Sequence, residues 1–475
     1  MLRQRFSNAM DWFGRLGNSP ANWRILIPPL ALVLVAILAY GAPKMIMFGA
    51  IGLCAGLGGL VVLFRHQPLG IVLLIIASML VPFSIGTGTS TSINGTIILL
   101  GAIAATWIID MVVVKKEIRL VNSTTTLPLL AFVVISIVGF ISGQMRWFPA
   151  IQGAPITAQL GGLAIFLLSA VAFLVVANVI KEPRYLVWMT WLFIGISAFY
   201  MLGRILPSSF ENVVRGLFPL GSDASLFWVW LTSLASAQAL FNSRIKRSWR
   251  IALVLLVIAT IYVSLIKNYD WKSGWMPALV GLMVVIWIGA PRFRVLAVLG
   301  LLMAVLVNFT NITSALTGQE DYSLTTRSEA WKIVLEISKA NPITGLGFAN
   351  YYWYTPLYVI MGYRVKFNSH NNYLDLIAQT GILGLAVFLW FSARVGILGW
   401  NLLKKVPDGF DKAYVIGALG GLVGTLVAGM LGDWFLPFVY NVGLVGFRSS
   451  VIAWLFLGGL VVYEQVYRQS PELAG

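Results

Sequence analysis

Two side chains of this sequence could carry out chemistry together, a histidine and an arginine. His370 is one of only two histidines, and an imidazole can take up or release a proton near neutral pH. It comes directly before a predicted helix, with Asn372 in the position of the N-cap and Asp375 at the third helical residue. A lone histidine is also common as a hydrogen-bonded structural residue, so both interpretations stay open. His66, the other histidine, is the weaker candidate.

Arg327 lies at the predicted start of another helix. Thr326 and Glu329 have the spacing of a capping box, and Asn341 with Pro342 ends the element. Apolar residues at helical spacing give this helix one apolar face: Ala330, Ile333, Val334 and Ile337. In a first helical turn, free N–H groups and the helix dipole favour an anion, and a guanidinium there would complete a phosphate site. A surface arginine bonded to a neighbouring carbonyl or carboxylate is the alternative.

Further cations are expected at the same membrane face as Arg327. Arg204 and Arg215 fall in one predicted outer loop, and Lys267 and Lys272 fall in another. Solvated loops can carry such charges without a ligand, but cations from three loops at one face suit a polyanionic lipid head group. Arginine binds phosphate through two parallel hydrogen bonds, so diphosphate is the natural ligand. The candidate diphosphate-binding residues are Arg327, Arg215, Lys272 and Arg204.

No metal ion or cofactor is expected to assist these residues. Two histidines, no Asp-x-Asp motif and a single cysteine, Cys54 inside an apolar run, offer no plausible set of metal ligands. Neither a P-loop nor a Gly-x-Gly-x-x-Gly fingerprint follows a plausible strand. The predicted cytoplasmic loops are also too short for a nucleotide-binding domain. Positive charge at the site must therefore come from side chains.

Aromatic residues follow a glycine-rich turn after the Arg327 helix. Tyr351 and Trp353 belong to a run of aromatic residues at 351–358. Such residues at a membrane surface are typical of an interfacial belt, and stacking against a sugar is the alternative interpretation. On the second interpretation, the candidate acceptor-binding residues are Tyr351, Trp353 and the neighbour of His370, Asn371.

The elements that must position these residues are membrane helices. Hydrophobic residues make up 59% of the chain and charged residues 11%. In a typical soluble domain, apolar residues make up about 45–50% and charged residues about 25%. A soluble globular enzyme is therefore excluded. Runs of about 20 apolar residues predict about 14 transmembrane helices. Their approximate cores are 25–41, 45–64, 68–85, 93–114, 127–143, 158–180, 185–203, 223–241, 249–267, 275–290, 293–312, 373–400, 413–433 and 441–463.

The predicted fold class is an all-α integral membrane protein with one large extracytoplasmic loop that contains amphipathic helices. The predicted segments are a cytoplasmic interfacial segment at 1–24, a transmembrane bundle of about eleven spans at 25–312, the large loop at 313–372, the last three spans at 373–463 and a cytoplasmic tail at 464–475. A loop as long as residues 313–372 is far beyond the usual length of connections and is typical of a functional segment.

The distribution of lysine and arginine sets the predicted orientation. Positive residues collect on the cytoplasmic side of a membrane protein. Placing both termini in the cytoplasm puts most of the 33 lysines and arginines there, and residues 313–372 then lie outside. Because ordinary membrane orientation accounts for most of the net charge of +16, no nucleic-acid partner is expected. Membrane lipids are the expected surroundings.

Charges inside the spans would indicate a transport path instead. Only Asp110, Arg394, Asp433 and Arg448 qualify. The first two are expected to reach the inner interface, and Asp433 is expected to pair with Arg448. No charged path through the membrane centre is predicted. A transporter or flippase for lipid-linked glycans would nevertheless also need outer cations, so it stands as an alternative of a different class.

An ordered set of residues resembles the bacterial O-antigen ligases and polymerases and their exopolysaccharide and protein-glycosylating relatives. The set lies in and after the large loop and comprises Arg327, Trp331, Asn341, Pro342, Gly345, Leu346, Gly347, His370, Asn371, Tyr373, Leu374, Gly381, Gly384 and Leu385. With residues 215–218, the resemblance covers about residues 210–400. The sequence departs from the family at the start of one span, where the family often has Ser-Arg-Gly and this chain has Lys272, Ser273 and Gly274. Lysine supplies positive charge but cannot form the bidentate fork of arginine.

This resemblance implies a GT-C-like membrane glycosyltransferase, independent of metal, at the outer face of the bacterial cytoplasmic (inner) membrane. Its donor would be an undecaprenyl-diphosphate-linked glycan, and Arg327, joined by Arg215, would bind the diphosphate. His370 would orient or deprotonate the acceptor hydroxyl, and the acceptor would be a glycan, a lipid or a protein. Transfer of the O-antigen ligase type, as in lipopolysaccharide biosynthesis, is the favoured hypothesis, and an O-antigen or exopolysaccharide polymerase of the same family is the alternative.

Overall fold

The computed structural model describes residues 63–86, 92–206, 208–217, 224–268, 270–295 and 322–469, together with residues 59 and 299. Most of these residues are helical. Several predictions fall wholly or almost wholly outside the described residues. They concern the interfacial segment at 1–24, the spans at 25–41, 45–64 and 293–312, residues 313–321 and the end of the tail.

The described helices are named here in chain order. They are α1 Gln67–Leu80, α2 Gly95–Ile109, α3 Thr126–Ser142, α4 Ile156–Val179, α5 Arg184–Ile205, α6 Ser208–Leu217, α7 Ser225–Phe241, α8 Arg247–Tyr262, α9 Lys272–Gly289, α10 Tyr322–Ser338, α11 Asn350–Tyr354, α12 Asn372–Leu402, α13 Phe410–Leu431 and α14 Gly443–Gln469. Two of them, α2 and α8, continue into π-helical turns, Asp110–Val114 and Val263–Lys267.

Within the described residues, 8 helices are long and apolar enough to cross a membrane. They are α2, α4, α5, α8, α9, α12, α13 and α14, with the π turns of α2 and α8 included. Three further apolar helices, α1, α3 and α7, are shorter. Each of these helices coincides with a predicted span, so the membrane class is confirmed. The total of about 14 spans stays a prediction, because part of the chain lies outside the description.

One predicted span is wrong at its end, and a small sheet follows instead. The span over 68–85 is predicted as a single helix, but α1 ends at Leu80. The residue before Pro82 is driven out of the helical region by the proline ring, which stops the helix there. Two short strands, β1 Ser84–Gly86 and β2 Ser92–Asn94, then pair as an antiparallel hairpin. The fold is therefore mainly α-helical with one short β-hairpin, and not purely all-α as predicted.

The chain divides into two compact units. One unit comprises residues 1–70 and 102–119, and in it Asp110 forms an ion pair with Lys115 at 2.5 Å. The other unit comprises residues 71–101 and 120–475. It contains the β-hairpin, helices α3 to α14 and the candidate site residues named above, except the weaker candidate His66.

Small residues bring α9 and α13 into close contact. A Cβ added to Gly281 of α9 would lie 3.0 Å from the carbonyl oxygen of Gly420 of α13, and one added to Gly424 would lie 2.9 Å from that of Pro277. Such close approach of membrane helices requires small residues at the interface. The order of the contacts makes the two helices antiparallel, so the start of α9 lies at the end of α13.

A kink in α12 holds the turn that follows α10. The kink is at Gly381, whose φ of 73° and ψ of −176° are not helical. Residues of the turn occupy it, with the N–H of Ile382 donating to the carbonyl of Pro342 (2.8 Å) and the N–H of Leu346 donating to that of Ala378 (2.8 Å). Glycine is required at the kink because an added Cβ would meet a carbonyl oxygen of the turn at 2.0 Å. The segment after α10 is thereby fixed to the start of α12.

Candidate functional site

His370 lies two residues before α12, in a left-handed backbone conformation with a φ of 50°. The N-cap of α12 is Asn371, whose side-chain oxygen accepts hydrogen bonds from the N–H groups of Tyr373 (2.9 Å) and Leu374 (3.5 Å). The predicted cap at Asn372 is therefore wrong by one residue. The His370 side chain is 41% exposed, which gives a substrate access to the imidazole.

Asn372 fastens the start of α12 to the α13–α14 connection, residues 432–442. Its side-chain oxygen accepts hydrogen bonds from the N–H groups of Phe435 (3.0 Å) and Leu436 (3.2 Å), and its Nδ2 donates to the Leu436 carbonyl (2.7 Å). This tertiary contact explains why Asn372 is not the cap. It also brings the α13–α14 connection, with Asp433 and Asn441, next to His370.

Asp433 is a buried carboxylate beside the imidazole. It is 2% exposed, and it accepts hydrogen bonds from the N–H of Phe438 (2.9 Å) and from Nδ2 of Asn441 (2.7 Å). Burial raises the pKa of Asp433, and these two hydrogen bonds oppose the shift. The predicted pair with Arg448 is wrong, because the Arg448 Nη2 donates to the carbonyl of Val81 at 3.2 Å.

The His370 ring faces this carboxylate with its Nδ1 atom. Nδ1 is 3.4 Å from the Asn441 Nδ2 and 3.9 Å from the Asp433 Oδ1. Burial lowers the pKa of His370, the Asp433 carboxylate opposes this shift, and the positive charge of Arg327 adds to it. The net pKa lies below the ordinary value, so the imidazole is predominantly neutral at neutral pH. The neutral form is the one that can accept a proton.

Arg327 belongs to the same site, but not for the reason that the sequence suggests. Helix α10 begins at Tyr322, so Thr326 is not its N-cap and Arg327 lies in the second turn. The predicted anion site at a helix N-terminus is therefore wrong. The Arg327 Nη1 instead donates to the carbonyl of Leu431, the last residue of α13, at 3.2 Å. Leu431 is two residues before Asp433, which lies 3.9 Å from the imidazole, so the guanidinium lies at the end of α13 beside the His370 site.

Two further side chains of α10 tie this helix to the loop that carries His370. Trp331, one turn after Arg327, donates from its indole Nε1 to the carbonyl of Ser369 at 2.8 Å. The Glu329 carboxylate accepts a hydrogen bond from the N–H of Met361 at 3.2 Å. The arginine and the histidine are therefore held by elements that are bonded to each other.

Arg204, predicted to bind diphosphate, is committed to another contact. It is 6% exposed, its Nη1 lies 2.9 Å from a Glu211 carboxylate oxygen, and its Nη2 donates to the Asn268 side chain at 2.9 Å. Lys267 lies 3.7 Å from the same carboxylate and donates to the Arg204 carbonyl. Because Glu211 balances the charge of Arg204, the structure does not support a phosphate-binding role for that arginine.

The other two predicted diphosphate ligands, Lys272 and Arg215, lie in different helices. Lys272 is the first residue of α9, and its neighbour Trp271 packs edge-on against Trp434 with ring centroids 5.8 Å apart. The start of α9 therefore adjoins the α13–α14 connection that carries Asp433. Arg215 lies in α6, and its side chain lies outside the described part of the structure.

The predicted acceptor-binding residues separate into two groups. Tyr351 is fully buried, and Asn371 caps α12 with only 8% of its surface exposed, so the structure does not support acceptor contacts for either. Trp353 is partly buried, its indole N–H donates to the Tyr440 hydroxyl at 2.9 Å, and the Lys366 Nζ lies 3.1 Å from its ring centroid. Tyr440 is the neighbour of Asn441, which contacts the His370 imidazole. The aromatic pair of Trp353 and Tyr440 therefore lies beside the His370 site.

A metal ion would need ligands that the described residues do not bring together. Within those residues, no group of three or more His, Cys, Asp or Glu side chains could hold one. The site instead offers an accessible neutral imidazole, a buried carboxylate behind it and a guanidinium beside it. Such a combination can accept a proton from a hydroxyl and stabilise negative charge on a departing group.

Sequence reasoning missed Asp433 and Asn441 as members of the site. Their only sequence signal is an acidic residue at the end of an apolar span, which is rare unless it serves a function. The residues that sequence reasoning selected and that the structure brings together are His370, Arg327 and, through the start of α9, Lys272.

The fold and the site together define a multi-span helical membrane protein in which His370, Arg327 and Asp433 lie at the joined ends of α9, α12 and α13. Residues 270–389 match the sequence profile of a family described as O-antigen ligase. The resemblance noted from the sequence is thereby confirmed over a segment that contains Arg327 and His370. No curated protein gives a significant match to the chain.

Proposed function

We propose that this protein transfers a glycan from a polyprenyl-diphosphate donor, undecaprenyl diphosphate in bacteria, to a hydroxyl group of an acceptor. The observation that carries the proposal is the placement of His370, with Asp433 3.9 Å from its Nδ1 atom and Arg327 bonded to the end of the helix that leads to Asp433. A proton acceptor and a fixed cation at one place suit a reaction in which a hydroxyl attacks and a diphosphate leaves. The matched family supports the same class of reaction.

In the proposed reaction the acceptor oxygen forms a bond to the anomeric carbon of the donor glycan while the bond from that carbon to the diphosphate oxygen breaks. The acceptor proton passes to the imidazole of His370, whose side chain is 41% exposed. The Asp433 carboxylate, 3.9 Å from Nδ1, stabilises the imidazolium that forms. Polyprenyl diphosphate leaves with both electrons of the broken bond.

The leaving diphosphate gains negative charge, and cations would stabilise it. Arg327 is the principal candidate, since a guanidinium has five N–H donors and can bind a diphosphate while it donates to Leu431. Lys272 is the second because α9 begins beside the α13–α14 connection. Arg215 is a third candidate by resemblance. A set of side-chain cations of this kind would serve without a metal ion.

For the acceptor we propose the surface formed by Trp353, Tyr440 and Lys366. An indole and a phenol ring offer apolar faces for a pyranose ring, and Lys366 provides a donor for sugar hydroxyls. The Tyr440 ring also stacks on Tyr352, with centroids 4.6 Å apart, which holds it in place. A glycan, a glycolipid or a glycoprotein could bind there, and a single transfer of the ligase type is our preferred form of the reaction.

We further propose that residues 322–372 face the outside of the bacterial cytoplasmic membrane, within a GT-C-like architecture and with both termini in the cytoplasm. Cys54 is the only cysteine, so a Cys54→Ser protein gives a clean background for single-cysteine labelling. Tyr363 is 67% exposed, and we expect Tyr363→Cys in that background to react with a membrane-impermeant maleimide in intact spheroplasts. Labelling only after the cells are opened would contradict the proposed orientation.

The function itself is tested with the purified protein in proteoliposomes that contain a radiolabelled polyprenyl-diphosphate glycan. We expect label to move to an added glycolipid acceptor in one step, with free polyprenyl diphosphate as the second product. A ladder of repeat lengths on the lipid carrier would indicate a polymerase. Movement of the intact donor between leaflets without any transfer would reject the enzyme in favour of a transporter.

A further inference from the structure

The backbone on both sides of His370 is held by buried hydroxyl groups. The N–H of Ser369 donates to the Tyr351 hydroxyl at 3.2 Å, and the N–H of Asn371 donates to the Ser369 Oγ at 3.0 Å. The carbonyl of Ser369 accepts the indole hydrogen bond of Trp331 at 2.8 Å. The turn thus has fixed partners directly before and directly after the histidine.

These contacts converge on one carboxylate. Asp375 Oδ1 is 2.5 Å from the Tyr351 hydroxyl and 2.7 Å from the Ser369 Oγ, and both hydroxyls can donate to it. All three side chains are buried, with exposures of 0% for Tyr351, 0% for Ser369 and 2% for Asp375. Within the described residues the second oxygen, Oδ2, has no hydrogen-bond partner. Burial of a carboxyl group with one unbonded oxygen is destabilising, so its presence calls for an explanation.

The strained backbone of His370 explains why the buried Asp375 cluster is present. A residue other than glycine in the left-handed region is held at a cost of about 1–3 kcal/mol, and it persists only where its surroundings fix it. His370 has a φ of 50°, and the residues on either side are fixed because their N–H groups donate to the hydroxyls of Tyr351 and Ser369. Asp375 is too deeply buried to meet a substrate, so it can act on the reaction only through these neighbours.

We infer that Asp375 is a positioning residue, which acts through Tyr351 and Ser369 to hold the His370 turn where Arg327 and Asp433 can act on the imidazole. The inference rests on the proposed function in that it concerns the same histidine. It extends that function because Trp331, from the helix of Arg327, bonds to the same turn. One buried cluster would then set the relative positions of the proton acceptor and the cation.

The principal test compares two buried tyrosines of α11. Tyr351→Phe removes the hydroxyl that joins Ser369 to Asp375, whereas Tyr354→Phe removes a hydroxyl from a tyrosine of the same helix that is equally buried, at 2% exposure. We expect Tyr351→Phe to lower kcat about 10–100-fold, because a displacement of about 1 Å can cost about 100-fold in rate. The KM for the donor should stay unchanged. Tyr354→Phe should retain the wild-type kcat.

A second measurement does not depend on activity. In a His66→Gln background His370 is the only histidine, so the rate of its modification by diethyl pyrocarbonate as a function of pH reports its accessibility and its pKa. Release of the turn should expose the ring, so in Tyr351→Phe we expect faster modification and a pKa that moves up towards the ordinary value. Tyr354→Phe should leave both quantities as in the wild type.

Equal kcat and equal histidine reactivity in the two tyrosine variants would overturn the inference. If Tyr351→Phe does not fold, as judged by its thermal unfolding in detergent, Ser369→Ala decides in its place, since it removes a single oxygen atom from the same cluster. A failure of the proposed function has a different signature. In that case the wild-type protein itself would transfer no glycan, while the reactivity of its His370 would still respond to Tyr351→Phe.

Discussion

Replacement of His370 with alanine should abolish measurable glycan transfer while the protein stays folded and binds its donor. A general base contributes about 10²–10⁴-fold to a rate, and we expect kcat to fall by that factor. Donor binding should persist because Arg327 and the start of α9 are untouched. The measurement is the initial rate of transfer from a radiolabelled lipid-linked donor in proteoliposomes, with donor binding followed separately on the same preparation.

The chain offers a matched control for this experiment. His66 is the only other histidine and is exposed, so His66→Ala should transfer at the wild-type rate. Wild-type kcat in purified His370→Ala would contradict the assignment of the proton acceptor. Loss of transfer together with loss of donor binding would indicate that the histidine contributes to binding and not to proton transfer.

The positions of the helices could be predicted largely because the membrane imposes a simple length and composition on each of them. The 8 described membrane-length helices and the 3 shorter apolar helices coincide with predicted spans. The main error, at the end of α1, arises where Pro82 stops the helix within an apolar run. The β-hairpin that follows could not be predicted, because its strands are only three residues each and lie in a stretch without a clear alternating pattern.

The histidine and the arginine could be found because each stands out in its local sequence, whereas the contacts that give them a function are tertiary. Asn371 and Asn372 are both suitable N-caps, and only the bond from Asn372 to the α13–α14 connection decides between them. The same bond brings Asp433 to His370 from far along the chain. Arg204 looked available for phosphate because its partner, Glu211, belongs to α6, a short helix that span prediction does not detect.

Arg327→Lys should impair transfer strongly even though it preserves the charge. An ammonium group is a point charge and cannot form two parallel hydrogen bonds with a phosphate. Arg327 also donates to the carbonyl of Leu431 at the end of α13. We expect kcat/KM for the donor to fall about 10–100-fold in Arg327→Lys and about 10²–10³-fold in Arg327→Ala, the range for loss of one stabilising donor.

A lysine directly after α10 provides the control for Arg327. Lys339 follows the last residue of the helix, its side chain is 71% exposed, and it pairs with Glu336 at 2.5 Å. Exposed pairs of this kind contribute little to stability, so Lys339→Ala should retain wild-type transfer. Unchanged donor affinity in Arg327→Ala would count against the diphosphate role, because that role requires contact with the donor before the bond breaks.

The pH dependence of transfer separates the effect of Arg327 on His370 from its effect on the donor. Transfer needs the neutral imidazole, so kcat/KM should fall as the pH is lowered through the pKa of His370. In the wild type this pKa lies below the ordinary value of about 6.5. Removal of the positive charge in Arg327→Ala should raise the pKa of His370. The acidic limb of the pH profile, where kcat/KM falls as the pH is lowered, should then move to higher pH, whereas Arg327→Lys should leave this limb in place.

Asp433→Asn should move the same limb in the opposite direction. The Asp433 carboxylate raises the pKa of His370, so its neutralisation should lower that pKa and carry the limb to lower pH. The maximal rate should also fall, because the imidazolium formed during transfer loses the carboxylate that stabilises it. Opposite shifts in Arg327→Ala and Asp433→Asn would identify His370 as the titrating group, since both residues act on its pKa with opposite sign. A limb that stays in place in both variants would mean that the group whose protonation stops transfer is not His370.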